Sequence, residues 1–436
     1  MNFLSKPNWN TEDATLILKH LDDFCARVLQ IDHPNVLKVD ADSDGIGKDG
    51  PPFLLTSRVK DGCSLEQVIC SGTEIDENVA LEVLKLATEV SSRAHQKGIF
   101  LLSFPIRHFL LDANGRLFMT GFESAFNPHF CDKPVALDIR KYLQQFSKDT
   151  EGMAPEVFRS VDTFTDTIDV FAIGKLLEKV RHLKMDGTSL TSWSDPWKCV
   201  AHHCLAEDPA MRFQSSEQVL MYLAEWLTSE EHQVVQVQTS SGCFSMSRYP
   251  VTNREYIEFC IEKNYPRPPH LRDVAARNSK EDRWNLHRLW GPLLPVTYVS
   301  CLDAEAYCHW LSAKTGEKWR LPLEEEWMHA AGGCNKKVYP WGGDAPDKRH
   351  ANYDRYFRGP TVVGAFPEGK SPSGCWDMGG NVWEWCSDIV TEGAPRRVIK
   401  GGAYDHAADA MRICHREAKV VACRSAHIGF RALREE

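Results

Sequence analysis

Two carboxylates, Asp377 and Glu384, stand seven residues apart around the turn Met378-Gly379-Gly380-Asn381. Hard cations gather carboxylate and carbonyl oxygens, so a glycine-rich turn flanked in this way can close on one; a glutamate so placed can also cap backbone amides without metal. Further on, the stretch YDHAADAMRICHREAKVVACRS offers Tyr404, Asp405, His406, Asp409, Arg412, His415 and Arg416 between two rigid glycine motifs. Mixed polar loops on a rigid frame are how folds present binding surfaces. The thiols Cys414 and Cys423 lie nine residues apart in the same stretch, and soft thiolates are what copper(I) selects. His287, His309 and His329 are isolated, and no HxxxHxE string is present to hold iron.

The elements that must position these groups change character near residue 230. Before it run helical-period segments such as LEVLKLATEVSSRAHQ, ending at Gln96, and Glu217 to Leu227, whose apolar residues return every three to four positions. After it the chain is rich in Gly, Pro, Trp and Tyr, with short strands and long connections. The expected domains are 1–229 and 230–436, joined at Ser229 to Gln233. The 436 residues, 43% apolar, can bury ample core. A formal charge of −9 gives no electrostatic reason to bind nucleic acid or an anionic membrane. The start MNFLSKPNWNTEDATL lacks the basic flank and apolar stretch of a signal peptide, and no long apolar run follows, so a cytoplasmic location is expected. Fifteen scattered cysteines without a CxxC pair read as mostly buried, reduced thiols.

The first half resembles the C-terminal lobe of a eukaryotic-type protein kinase. His33-Pro34-Asn35-Val36-Leu37, FLLTSRVKDGCSL from Phe53, GIFLLSFPIRHFLLD from Gly98, LFMTGFESA from Leu117, Met153-Ala154-Pro155-Glu156, DVFAIG from Asp169 and CLAEDPAMR from Cys204 follow in kinase order. Phosphoryl transfer requires a positioned base, magnesium ligands and a lysine on the phosphates. At the matching places stand Ser103 for the base, Pro105 for the following lysine, His108 for the metal-binding asparagine and Gly121 for the metal-binding aspartate. Fewer than roughly 25 residues precede the presumed regulatory helix, too few for a glycine-rich loop and a lysine-bearing strand, and Phe24 takes the place of that helix's glutamate. The resemblance implies retained scaffold residues: Glu156 and Arg212 at the positions of a buried ion pair, and Asp169 as the buried aspartate that caps the catalytic-loop backbone. It implies no ATP site.

The second half resembles the formylglycine-generating enzymes, which have a C-type-lectin fold. The resemblance rests on PVTNREY from Pro250, PVTYVSCLDAEAYCHWLSAKT from Pro295, Arg320-Leu321-Pro322, Glu324-Glu325-Glu326-Trp327, YPWG from Tyr339, HAN from His350, GGNVWEW from Gly379, Lys400-Gly401-Gly402-Ala403-Tyr404 and Gly429-Phe430-Arg431. Trp327, Trp341, Trp383 and Trp385 are expected to fill the core between irregular loops. The resemblance implies a calcium loop using the side chains of Asp377 and Glu384 with the carbonyls of Gly380 and Val382. A second calcium position would use Asn352 and Tyr353, but the acidic loop after them is shortened to Arg355 to Gly359. It further implies copper on two cysteines just beyond GGS(W/Y). Here that stretch, Tyr404 to Ala410, has no cysteine.

The expected fold class is therefore α+β and multidomain, a mostly helical kinase-like lobe followed by an irregular α+β domain. The expected function is that of a non-catalytic pseudoenzyme that recognises a protein or small ligand through Tyr404 to Ser425, with calcium as the one candidate cofactor and no copper, iron or ATP. The variable proteins of diversity-generating retroelements also bracket a diversified stretch with GGSW and GFR in this fold, although the stretch here has no asparagine. The alternative is a metal-dependent oxidase with thiols relocated to Cys414 and Cys423.

Overall fold

The computed structural model describes residues 31, 33–37, 39–40, 55–56, 62–73, 75–122, 125, 150–159, 164–181, 196–228, 234–239, 242–271, 291–333, 338–390 and 395–436. Phe24 and the segment Ser229 to Gln233 lie outside them. The chain divides into two compact units. The first is Met1–Met185 with Cys204–Pro209 and Gln214–Ala224; the second is Asp186–His203 with Ala210–Phe213 and Glu225–Glu436. No helix among the described residues is long and apolar enough to cross a membrane.

In the first unit a three-stranded antiparallel sheet joins β1 (Cys63–Ser64), β2 (Phe109–Leu111) and β3 (Leu117–Met119). Helix α1 (Leu65–Cys70) starts from a capping box in which Ser64 and Gln67 satisfy each other's backbone amides. Helix α2 (Glu77–His95) is capped by Asp76 and buries the face Ala80, Val83, Leu84, Ala87, Val90, Ser91 and Ala94, the periodic stripe expected of LEVLKLATEVSSRAHQ. Helix α3 (Thr167–Val180) is apolar around nearly its whole circumference and is correspondingly buried.

One buried polar knot holds this unit. Asp169, fully buried on α3, accepts from the amides of Leu101 and Leu102 at 3.0 and 2.8 Å and from Ser91 Oγ at 3.1 Å. It also meets His95 Nε2 at 2.9 Å, while His95 Nδ1 lies 3.3 Å from Asp166. Leu102 needs this support because it sits in the left-handed region, φ 65°, which is costly for a branched side chain. Glu156 is buried in this unit, and Arg212 is buried in the second.

In the second unit, helix α4 (Asn253–Glu262) begins at Thr252 and helix α5 (Cys301–Thr315) at Ser300, each with a complete capping box. Helix α6 (Glu324–Ala330) follows them. One sheet runs β4 (Val234–Thr239), β5 (Gly242–Ser247), β10 (Leu433–Arg434), β6 (Trp319–Arg320). The other runs β9a, the strand Glu417–Val420, then Arg396–Lys400, Trp383–Val390 and Ile428–Gly429, which we call β9a, β8, β7 and β9b. All of its pairs are antiparallel except β9b with β7. Most of this unit is loop, and its interior is filled by large rings. Trp327, Trp383 and Trp385 are fully buried, and Tyr256, Phe259, Tyr307, Trp310 and Phe430 form a second aromatic cluster with neighbouring centroids 5.3–6.2 Å apart. Trp341 differs from its expectation: it is half-buried and stacked between Tyr339 and His350, at 5.2 and 5.1 Å.

The second unit also takes in His203. Its Nε2 accepts from the Leu293 amide at 3.1 Å, and its Nδ1 faces the Met211 carbonyl at 3.2 Å. One nitrogen accepts and the other donates, which requires the neutral ring. Burial, helped by neighbouring His202, holds its pKa down at about 3.

His95 is the opposite case. Burial opposes its charge, but the contacts with Asp166 and Asp169 outweigh burial and raise its pKa to about 10. A folded-state pKa above the unfolded one stabilises fully below about pH 6.5 and is lost as pH rises through about 10. Amide exchange in α2 is therefore expected to speed up between pH 7 and 10 beyond the intrinsic base-catalysed increase, and His95→Gln should flatten that excess.

Candidate functional site

The Asp377 to Glu384 turn leads into β7, where successive side chains of Val-Trp-Glu-Trp alternate in direction. Glu384 is fully buried. Its Oε1 accepts from Arg431 Nη2 at 2.7 Å, and its Oε2 accepts from Arg431 Nε at 2.7 Å and from Trp327 Nε1 at 2.6 Å. Arg431, also fully buried, donates further to the carbonyls of Ser247, Arg248 and Trp376. Asp377 accepts from the Gly364 amide at 2.6 Å, and burial pushes its pKa up to about 7. Gly380 and Gly429 are glycine for contact reasons: a Cβ at either would lie 2.4 Å from a carbonyl, that of Asn352 or Val296.

This arrangement does not fit a calcium ion on Asp377, Gly380, Val382 and Glu384. The Glu384 carboxylate is already neutralised by a guanidinium, and a cation beside it would meet Arg431. Among the described residues no group of three or more His, Cys, Asp or Glu is placed to hold a metal. At the second position the resemblance implied, Asn352 Nδ2 donates to Gly359 O at 2.8 Å, its Oδ1 is buried without a partner, and the Tyr353 hydroxyl donates to Pro346 O.

The stretch after Lys400-Gly401-Gly402 brings some of the expected residues together and scatters others. Asp405 Oδ1 meets His406 Nδ1 at 2.8 Å, and its Oδ2 meets His427 Nδ1 at 3.2 Å. The His406 and His427 rings stand edge to face, 5.1 Å apart. Beneath them lies Trp383, 5.4 Å from the His406 ring and 5.8 Å from His415, with its Nε1 3.4 Å from His406 Nε2. Although burial opposes it, the two imidazoles hold the Asp405 carboxyl down at about 2. Asp409 and Arg412 instead pair with each other on an exposed turn at 2.7 Å, and Arg416 reaches Glu324 at 2.9 Å. Cys414 is exposed and Cys423 half-buried.

The backbone around this cluster is strained. Tyr298, Asp354, Arg355 and Asn381 all have φ between 51° and 63°. Each is hydrogen-bonded to the cluster's own segments: Tyr298 N donates to Ser425 O, Asp354 N to His406 O, Arg355 N to Tyr404 O, and Tyr404 N to Asn381 O. Asp and Asn tolerate this region, but Tyr298 and Arg355 each cost about 1–3 kcal/mol there. Such strain persists where surrounding structure over-determines it, and it gathers at functional sites.

His427, whose Nε2 lies 3.1 Å from the Oγ of Ser425 at the end of the expected stretch, is the residue that sequence reasoning missed. Its signal was a histidine two residues after a serine just ahead of Gly429-Phe430-Arg431.

The sulfatase-modifying factor enzyme 1-like domain family matches residues 213–436. This chain belongs to that family. Among curated relatives, the inactive C-alpha-formylglycine-generating enzyme 2 of Bos taurus is 29% identical over 235 residues, 43% of this chain and 76% of that protein. The hercynine oxygenase of Mycolicibacterium thermoresistibile is 31% identical over 209 residues, 39% and 46% of the two chains. The serine/threonine-protein kinase pkn1 of Chlamydia caviae is 29% identical over 231 residues, 46% of this chain and 34% of that one. The N-terminal half resembles a kinase lobe in the motifs quoted above, and two of the positions that match magnesium ligands are packed against each other. A Cβ at Gly121 would lie 2.6 Å from the His108 ring, so the imidazole fills the space in which two magnesium ligands would have to converge. These residues do not fit a metal-bound nucleotide.

Two measurements follow. Arg431→Ala leaves Glu384 buried and uncompensated, so urea unfolding of the family domain should lose about 3–5 kcal/mol, with no recovery on adding calcium. ATP with magnesium should leave the melting temperature of the whole protein unchanged, since a ligand of the folded state must raise it.

Proposed function

We propose that the family domain of this chain is a recognition module whose ligand site is the Asp405–His406–His427 cluster above Trp383, in place of a copper oxidase centre. The observation that carries this reading is the ring of left-handed residues, Tyr298, Asp354, Arg355 and Asn381, bonded to Tyr404, His406 and Ser425. A fold accepts that cost to hold a few side chains in fixed positions. The chemistry of those side chains favours recognition over oxygen activation. Where the resemblance places two thiolates, this chain has a carboxylate with an imidazole on each oxygen, a polar and aromatic surface suited to hydrogen bonding and stacking. The relative named inactive supports the same direction for this chain.

The expected surface is smaller than Tyr404 to Ser425 as a whole. His406 and His415 gather at Trp383 with Asp405 held on His406, whereas Arg416 serves Glu324. The kinase-like half is proposed as a scaffold. We further propose no role for calcium at Glu384.

The test is a titration of the purified chain with copper(I) under reducing conditions, followed by oxygen uptake with a cysteine-containing peptide. Substoichiometric copper and uptake at the buffer rate are expected, unchanged in a Cys414→Ser, Cys423→Ser double variant. One tightly held copper per chain together with peptide oxidation that the double variant abolishes would replace this reading with that of an oxidase with relocated thiols.

A further inference from the structure

The two nitrogens of His427 face two different partners. Nδ1 lies 3.2 Å from Asp405 Oδ2, and Nε2 lies 3.1 Å from Ser425 Oγ. This is the order that nucleophilic catalysis by a hydroxyl requires: a carboxylate holds the far nitrogen of an imidazole whose near nitrogen can take the hydroxyl proton. We propose that Ser425, His427 and Asp405 form a nucleophile, a general base and a positioning carboxylate for acyl transfer from a carboxylic ester. The proposal goes beyond recognition and rests on this geometry alone.

Each member is fixed by separate parts of the fold. The His427 carbonyl accepts from Trp383 N at 2.9 Å, so the imidazole is carried on the pairing of β9b with β7. The Ser425 carbonyl accepts from Tyr298 N at 2.9 Å and from Ile428 N at 3.3 Å, so the serine sits on a closed turn. Tyr298 is one of the strained residues, φ 54°, and the bond that its conformation makes goes to the nucleophile's own backbone. Asp405 cannot swing away, because its other oxygen is held by His406 Nδ1. The site is open to a ligand: the side chains of His427 and Asp405 are 27% and 21% exposed.

In the proposed step Ser425 Oγ bonds to the ester carbonyl carbon while its proton passes to His427 Nε2. The bond from that carbon to the alcohol oxygen then breaks, and the alcohol leaves with the proton from Nε2, giving acyl-Ser425. Water attacks the acyl carbon, gives one proton to Nε2, and releases the acid as the proton returns to Ser425. Asp405 stays ionised throughout and acts by orienting His427. No oxidant, metal or cofactor is consumed.

The test uses the full chain with p-nitrophenyl acetate and, separately, a fluorophosphonate probe, reading modified peptides by mass spectrometry. One adduct at Ser425 is expected, absent in Ser425→Ala and formed roughly 10²–10⁴-fold more slowly in His427→Ala, the range of general-base catalysis. Asp405→Asn should slow the reaction and move its pH profile, which a purely structural role would not do. Circular dichroism establishes that each variant is folded; if Ser425→Ala alone is folded, it suffices. No adduct on the folded wild type, or an adduct that persists in Ser425→Ala, overturns the proposal. Either result leaves the recognition reading standing, because that reading is tested by copper binding and oxygen uptake.

Discussion

The family domain depends on one buried ion pair. Glu384 and Arg431 have no exposed surface, and desolvating both charges is repaid only if every polar direction finds a partner. The guanidinium makes a two-pronged bond to the carboxylate and reaches the carbonyls of Ser247 at the end of β5, Arg248 just after it and Trp376, while Trp327 on α6 donates to the same carboxylate. Strands, helix and loops with little regular hydrogen bonding between them are thereby tied to one point. The pair joins GGNVWEW and GFR, two motifs whose Glu384 and Arg431 stand 47 residues apart in the chain.

The same construction positions the candidate site. Trp383 precedes Glu384 on β7, and its main chain pairs with His427. Gly429 allows β9b to press against Val296, which keeps the Ser425 turn beside Tyr298. The strain at Tyr298, Arg355 and Asn381 is thus borne by a frame whose core is rigid. A cluster of two imidazoles and one carboxylate in a flexible loop would sample many pairings; on this frame it has one.

In the N-terminal half, the residue matching a kinase's scaffold aspartate is built into the core, and the positions matching its magnesium ligands hold other residues. Asp169 still binds the amides of Leu101 and Leu102, and His95 carries a charge that locks it to α3. The positions where magnesium ligands would converge are filled by His108 packed on Gly121. A buried aspartate that caps left-handed backbone is expensive to lose.

Much of this was legible in the sequence because it is local or periodic. The α2 stripe and the glycine-tryptophan motifs follow from spacing and from steric limits that neighbours in the chain impose. The order of motifs was enough for the family, and the absence of thiols at Tyr404 to Ala410 was enough to direct attention to Asp405 and His406. Sequence could not say that Glu384 faces Arg431 and not a cation, because a carboxylate's partner is set by which charge the fold brings to it from 47 residues away. Nor could it join Ser425 and His427 to Asp405, twenty residues upstream, or send Arg416 to Glu324. Residue types and spacing determined which chemistries were available to this protein. Tertiary structure alone decided which groups meet, because distance, burial and the partner on each lone pair are properties of the packed chain.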